Sequence, residues 1–240
     1  MEEKLSGIVL SGISFGENDK ILNIFTPNQG VISARIKGVK KAGAKLKFAS
    51  EPFCFAEFIF SKKGDLRTVI GASLIDSFYP VREDIVKYFC AGAVVEFIKK
   101  FYREDIVSAD AFLLTAKALE NIAYGKDNPK SALVTFFIDA LKDSGFALTL
   151  NKCLRCGCED ISGRVFFDYR TGAFFCEKCF DGTGREVNLS TFWALCRATK
   201  GTLDDTFEGT DKALRLIDYY LKNRAEESIN SLKELINLNT

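Results

Sequence analysis

Eight cysteines and no histidine define the reactive side chains of this chain. Four of the cysteines form two knuckles, Cys153-Leu154-Arg155-Cys156 and Cys176-Glu177-Lys178-Cys179, with nineteen residues between them. Two C-x-x-C pairs at this separation are the pattern of a four-thiolate zinc site, each knuckle bringing two sulfurs within ~2.3 Å of one tetrahedral ion. Between the pairs, Arg164-Val165-Phe166-Phe167 and Ala173-Phe174-Phe175 flank the turn-like Tyr169-Arg170-Thr171-Gly172. The second pair is therefore expected on a β-hairpin, as in a zinc ribbon, with all four sulfurs at one end.

Other uses of these cysteines are weaker. A disulfide framework suits a small secreted domain, whereas this chain has 240 residues, no apolar N-terminal segment of the signal type and 47% hydrophobic residues. A redox C-x-x-C is expected singly, beside a βαβ pattern. Catalytic zinc needs an open coordination position and usually a histidine or carboxylate ligand, and four thiolates close the shell. The deaminase pattern, with H-x-E and a proline before the second knuckle, is absent, since Phe175 precedes Cys176. Cys153, Cys156, Cys176 and Cys179 are thus the expected ligands of a structural Zn2+, with Cys158 an alternative for Cys156. Cys54, Cys90 and Cys196 read as buried small hydrophobes in a reducing cytoplasm.

The elements that must position this site divide the chain. Residues 1–79 are rich in short Val, Ile and Phe runs: Leu5 to Ile13, Ile21 to Thr26, Val31 to Gly38, Phe53 to Phe60 and Leu66 to Leu74. Turn residues such as Gly16-Glu17-Asn18-Asp19 and Lys62-Lys63-Gly64-Asp65 separate them. Five strands in so short a span predict a small closed barrel, of the oligonucleotide-binding (OB) kind or, on pattern alone, an SH3-like one. After Pro80 the period changes to helical. Ile85, Val86, Phe89, Val94, Val95, Ile98 and Phe101 mark a first helix. A second is expected from Ser108 to Gly125, and a third, apolar and central, from Asn128-Pro129 to Gly145. Three more follow the zinc segment, over 190–200, 210–223 and 226–238. Residues 80–240 are thus expected to be a helical domain with the zinc element inserted at about 150–182, giving an α+β, multidomain fold.

Charge is informative only locally, because the chain carries a net charge of +1. Residues 20–50 contain no acid, while Arg35, Lys37, Lys40, Lys41, Lys45 and Lys47 crowd within them, interspersed with Gly38, Ala42, Gly43 and Ala44. Such a stretch either keeps a flexible loop solvated or lies along phosphates, and the unmixed sign in a near-neutral chain favours nucleic acid. Phe48, beside this loop, is the aromatic best placed by sequence to stack on a base. No apolar run approaches the ~20 residues of a membrane span, so a cytoplasmic protein is expected.

An enzyme is disfavoured. The chain has no glycine-rich phosphate loop, dinucleotide fingerprint or nucleophile elbow, and it lacks histidine, the commonest general base. The adjacent carboxylates Asp204-Asp205 and Glu226-Glu227 read as solvated surface.

The N-terminal motifs Ile8-Val9-Leu10, Gly16-Glu17-Asn18-Asp19-Lys20, Thr26-Pro27-Asn28-Gln29-Gly30-Val31-Ile32 and Lys37-Gly38-Val39-Lys40-Lys41, followed by a helical domain with a cysteine quartet, resemble the bacterial RecO family. The resemblance covers essentially the whole chain. It implies a recombination mediator that binds single- and double-stranded DNA, anneals strands, and contacts the acidic C-terminal tail of the single-strand-binding protein. It also implies work with RecR to load RecA, on the bacterial nucleoid. Matched by position, the DNA role falls on Arg35, Lys37, Lys40 and Lys41, with Lys45 and Lys47 as extensions. Some family members lack the zinc cysteines, which fits a structural metal. The competing class is an RNA-binding or translation-associated factor built from OB and zinc modules.

Overall fold

A computed structural model describes residues 2–64, 66–104, 106–159, 161–201 and 209–238. Five strands, β1 (Glu2–Phe15), β2 (Asp19–Thr26), β3 (Gly30–Ile36), β4 (Phe55–Lys63) and β5 (Leu66–Asp76), close into a barrel in the order β1-β2-β3-β5-β4. The long β1 makes closure possible by serving two neighbours. Its first half pairs with β4, from Glu2↔Ser61 to Ile8↔Phe55, and its second half with β2, from Ile8↔Phe25 to Phe15↔Asp19. A bulge between Val9 and Ser11 turns the strand as it changes partner. Gly7 sits just before this change, where a Cβ would lie 2.4 Å from Ile24 Cγ2, so only glycine lets β1 pass so near to β2. The parallel pairing of β3 with β5, Ala34↔Arg67 to Ile36↔Val69, completes the OB arrangement.

Alternation along the strands fills the barrel with Val9, Leu22, Ile24, Ile32, Ile36, Phe58 and Phe60, all buried. The opposite phase of β1 and β2 is apolar as well. Ile8, Leu10 and Phe25, with Phe53 before β4, belong to the same buried cluster as the helices, and the Phe25 ring lies 5.8 Å from that of Tyr102 and 5.7 Å from that of Phe112. Burying each such side chain contributes about 2–3 kcal/mol.

The helical part begins with α1 (Ile85–Phe101), α2 (Ala109–Tyr124) and α3 (Pro129–Asp143). Their starts follow local capping chemistry. Asp84 accepts hydrogen bonds from the Val86 and Lys87 amides, Ser108 from Ala111 and Asn128 from Lys130, with Pro129 at the first helical position. As its apolar sequence predicts, α3 is central, packing on α1 and α2 and on two later helices, α4 (Leu189–Ala198) and α5 (Thr210–Tyr220).

The ribbon between α3 and α4 contains the predicted hairpin, β6 (Val165–Asp168) and β7 (Ala173–Cys176), and a third strand, β8 (Arg185–Val187), on the other side of β6. Sequence gave no sign of β8, because three residues beginning Arg-Glu make a strand only where a partner already stands. The C-terminal helices depart further from expectation. Instead of running to residue 223 as regular helix, α5 widens into a π turn over Leu221–Ala225, and Glu226 takes a left-handed φ of 56° that ends it. The last helix, α6 (Asn230–Asn237), therefore starts after residue 226, and its cap comes from another helix: the Glu96 carboxylate of α1 accepts from the Asn230 and Ser231 amides, both at 2.9 Å. Of the paired carboxylates, Glu227 is tied to Lys100 at 2.9 Å, and Asp204-Asp205 lie outside the described residues.

Candidate nucleic-acid interface and metal centre

The basic segment joins β3 to β4 as successive turns, with Lys41, Ala44 and Lys47 each donating a backbone hydrogen bond to the residue three earlier. Apolar residues fasten it to the barrel. Val39 and Ala49 are buried, and Leu46 and Phe48 pack half-buried on the barrel core. Lys37, Lys40, Lys41, Lys45 and Lys47 alternate with these anchors and are exposed. Among the described residues no ammonium group of the five enters an ion pair. Phe48 is thus a half-buried anchor of the segment.

Both ends of the segment are held by the first two residues of β2. Asp19 accepts from the Gly38 amide at 2.7 Å and from Arg35 Nε and Nη2 at 2.9 and 2.5 Å. The Gly38 amide first, and then the Arg35 guanidinium, hold the Asp19 carboxyl below the usual carboxylate range. At the far end Lys20 reaches the Ser50 carbonyl and hydroxyl at 3.4 Å and Glu51 at 3.5 Å. Arg35 differs from the five lysines: its charge is matched by Asp19, and its guanidinium lies 5.0 Å from the centroid of the Phe15 ring. The register that pairs Ile21 with Arg35 and Asp19 with Phe15 creates this contact. Phe15 is 46% exposed, so β1 presents an open aromatic beside Arg35.

The second candidate site lies at the end of the ribbon. Cys153, Cys156, Cys176 and Cys179 converge so that their sulfurs all lie within 4.8 Å of one another, an arrangement that can hold a metal ion. The Cys156 and Cys176 sulfurs are 3.8 Å apart. A tetrahedron with metal–sulfur bonds of ~2.3 Å has an edge of ~3.8 Å, so the donor set fits such an ion in type and spacing. Cys158 is outside this group; its carbonyl accepts from the Cys153 amide at 2.8 Å, closing the first knuckle's turn. Burial raises the Cys153 thiol, yet the amides of Cys156, Cys176 and Arg155 outweigh it and bring the group to about 6. Crowding works the other way at Cys179, where Cys156 foremost pushes the thiol up to about 12. Four thiols cannot all ionise at this distance unless a cation accompanies them. Arg155 braces the cluster, donating to the Cys179 carbonyl at 2.9 Å and to Asp181 at 2.5 Å. The other three described cysteines, Cys54, Cys90 and Cys196, are buried, and burial raises all three thiols.

An OB barrel with an exposed row of lysines, joined to a helical body that carries a four-cysteine ribbon, defines a multidomain OB-fold class. Comparison with known proteins makes this specific. The family model described as recombination protein O N terminal matches residues 1–78, and that of recombination protein O C terminal matches residues 82–233. The chain belongs to the family of the DNA repair protein RecO. It is 31% identical over 186 residues to the DNA repair protein RecO of Caldicellulosiruptor bescii, covering 78% of this chain and 75% of that protein. With its counterpart from Acetivibrio thermocellus it shares 27% identity over 237 residues, 95% of this chain and 94% of the relative. Among the described residues, no helix is long and apolar enough to cross a membrane.

Proposed function

We propose that this DNA repair recombination protein acts as a mediator that binds DNA through the lysine row of its barrel, without covalent chemistry. The observation that carries the reading is the alternation of buried anchors with five unpaired lysines in a segment fastened at both ends by β2. Fixed anchors turn five flexible charges into a preorganised row, which lowers the ordering cost of meeting a phosphate backbone. The row has no fixed hydrogen-bonding geometry for base edges, so single and double strands are both accepted and sequence is not read. Arg35, tied to Asp19 and within cation–π range of Phe15, adds a positioned guanidinium and an exposed ring beside the row, suited to an unstacked base.

In this reading residues 1–79 form the DNA-binding domain and residues 80–240 the helical domain that holds the ribbon. Zn2+ is the metal: bound by Cys153, Cys156, Cys176 and Cys179, it supplies cross-linking of the ribbon and no reactive position. The family assignment supports the wider role: annealing of complementary strands, contact with the acidic C-terminal tail of the single-strand-binding protein, and partnership with RecR in loading RecA, in the cytoplasm on the nucleoid.

The test is an annealing reaction between complementary strands coated with single-strand-binding protein. Added protein is expected to accelerate duplex formation, and the variant with Lys37, Lys40 and Lys41 changed to alanine to do so weakly. Equal rates with and without the protein would refute the mediator reading.

A further inference from the structure

A second basic surface lies where the ribbon meets α5, built without any barrel residue. A groove of about 520 Å³ runs between the Tyr169 turn, β8 and α5, and its wall includes Lys212, Arg215 and Tyr219. These three stand at i, i+3 and i+7 of one helix and so form a single stripe facing the ribbon. Across from them, Arg185 of β8 lies 5.0 Å from the Tyr219 ring centroid, and Tyr169 packs edge-on against the same ring at 4.3 Å. Arg185 is therefore a cation held within cation–π range of an aromatic ring.

The charge balance of this surface is one-sided. Each described carboxylate around it already has a cation of its own: Glu186 is gripped by Arg164 at 3.1 and 2.6 Å, Asp211 by Lys130 at 2.9 Å, Asp168 by Arg170 at 3.5 Å, and Asp218 by Lys222. Arg185, Lys212 and Arg215 enter no ion pair among the described residues, and Arg215 reaches only the Ile236 carbonyl, at 3.4 Å. Lys212, Arg215 and two tyrosines thus line the groove together with the neutralised Glu186, and Arg185 adds a third cation against the ring of Tyr219.

We propose that this groove is a second binding track for single-stranded nucleic acid, gripping phosphates through Arg185, Lys212 and Arg215 while the barrel lysines hold another strand. A cation against a ring, beside two helix-borne cations, suits a phosphate chain with unpaired bases, which carries both negative charge and stacking faces. The proposal rests on the nucleic-acid reading of the barrel and adds to it a means of holding two strands on one chain.

The experiment uses the full chain and two oligothymidylates, which cannot pair with each other, one carrying a donor dye and the other an acceptor. Sedimentation fixes the number of protein chains and strands per complex. Wild type is expected to bind two strands per chain, with energy transfer between them. The K212E/R215E variant is expected to keep first-strand affinity within about twofold, to lose about tenfold or more in second-strand affinity, and to anneal complementary strands slowly. The neutral K212Q/R215Q variant should show a smaller loss of the same kind, and it decides the matter if charge reversal impairs folding. Two strands bound to K212E/R215E as to wild type, or one strand per wild-type chain, would overturn the second track and leave the barrel reading standing. Displacement of the second strand by polyglutamate as effectively as by oligothymidylate would assign the groove to an acidic peptide and also overturn the proposal. A wild-type chain that binds no strand would remove the barrel reading as well.

Discussion

Replacing Lys37, Lys40 and Lys41 together by alanine removes three of the five unpaired cations while leaving the buried anchors Val39 and Ala49 in place. The expected effect is set by counterion release, which gives a slope of ~0.7 in log affinity against log salt for each phosphate neutralised on a single strand. Five contacts predict a slope of about −3.5 for wild type, and two predict about −1.4 for the variant. Between about 50 and 200 mM salt, wild-type affinity should fall about 130-fold and that of the variant about sevenfold. Because the three side chains are exposed, stability should change by less than about 0.5 kcal/mol. Anisotropy titrations of a labelled oligonucleotide at four or more salt concentrations measure the slopes, with exposed Lys99→Ala of α1 as the control. A variant slope equal to that of wild type would refute the reasoning, even if affinity fell, because the lost affinity would not be electrostatic.

Other perturbations separate the remaining features. Asp19→Asn releases Arg35 from its matched charge, so the salt slope should steepen by ~0.7 while the loop loses part of its fastening. Since the Asp19 carboxyl is held below its unfolded value of ~3.9, its stabilisation is complete above that pH and is lost as pH falls through the lower folded value. The wild-type advantage over Asp19→Asn in urea midpoint should therefore be present at neutral pH and disappear in strong acid. Metal analysis should find one zinc ion per chain. Cys153→Ser or Cys179→Ser should cost about 4 kcal/mol, or about 8–16 °C in Tm, with oligonucleotide affinity of the folded fraction retained; a folded, zinc-free variant lacking DNA affinity would make the metal part of the interface. Gly30 and Gly16 both have positive φ, 65° and 63°, but a Cβ at Gly30 would lie 2.7 Å from the Ile106 carbonyl, whereas Gly16 has open space. Gly16→Ala should cost about 1–2 kcal/mol and Gly30→Ala distinctly more, read from denaturant midpoints.

Features written in contiguous residues were legible in the sequence. The five strands announce themselves by Val, Ile and Phe runs between turns, the first helix by its apolar period, the next two by Ser and Asn starts, and the cysteine quartet by its spacing. What stayed hidden depends on residues that meet only after folding. Nothing local signals that Arg35 is neutralised, because Asp19 reaches it through the β2–β3 register. The start of α6 is invisible because Glu96, which caps it, lies on α1. Phe48 seemed available for stacking on proximity to lysines alone, but its ring packs half-buried on the barrel core, and Phe15, at the end of β1, is the more exposed ring. The groove beside α5 was missed for the same reason: Arg185 sits in a strand too short to predict, and Lys212 and Arg215 sit in a helix whose partner surface the sequence does not name.

The buried cluster that runs from Ile8, Leu10 and Phe25 of the barrel into the helices limits the modularity of this molecule. A fragment cut after residue 79 would present those side chains to water, together with Phe55, whose ring meets Phe112 at 5.7 Å. Losing that cover at about 2–3 kcal/mol per large side chain would consume much of the ~5–15 kcal/mol that a folded domain possesses. The barrel is consequently not a transplantable cartridge. Fusions, truncations and proteolytic dissection of this chain should yield either the whole structure or aggregated strands, and variation in the DNA-binding half is constrained by the shape of α1 and α2.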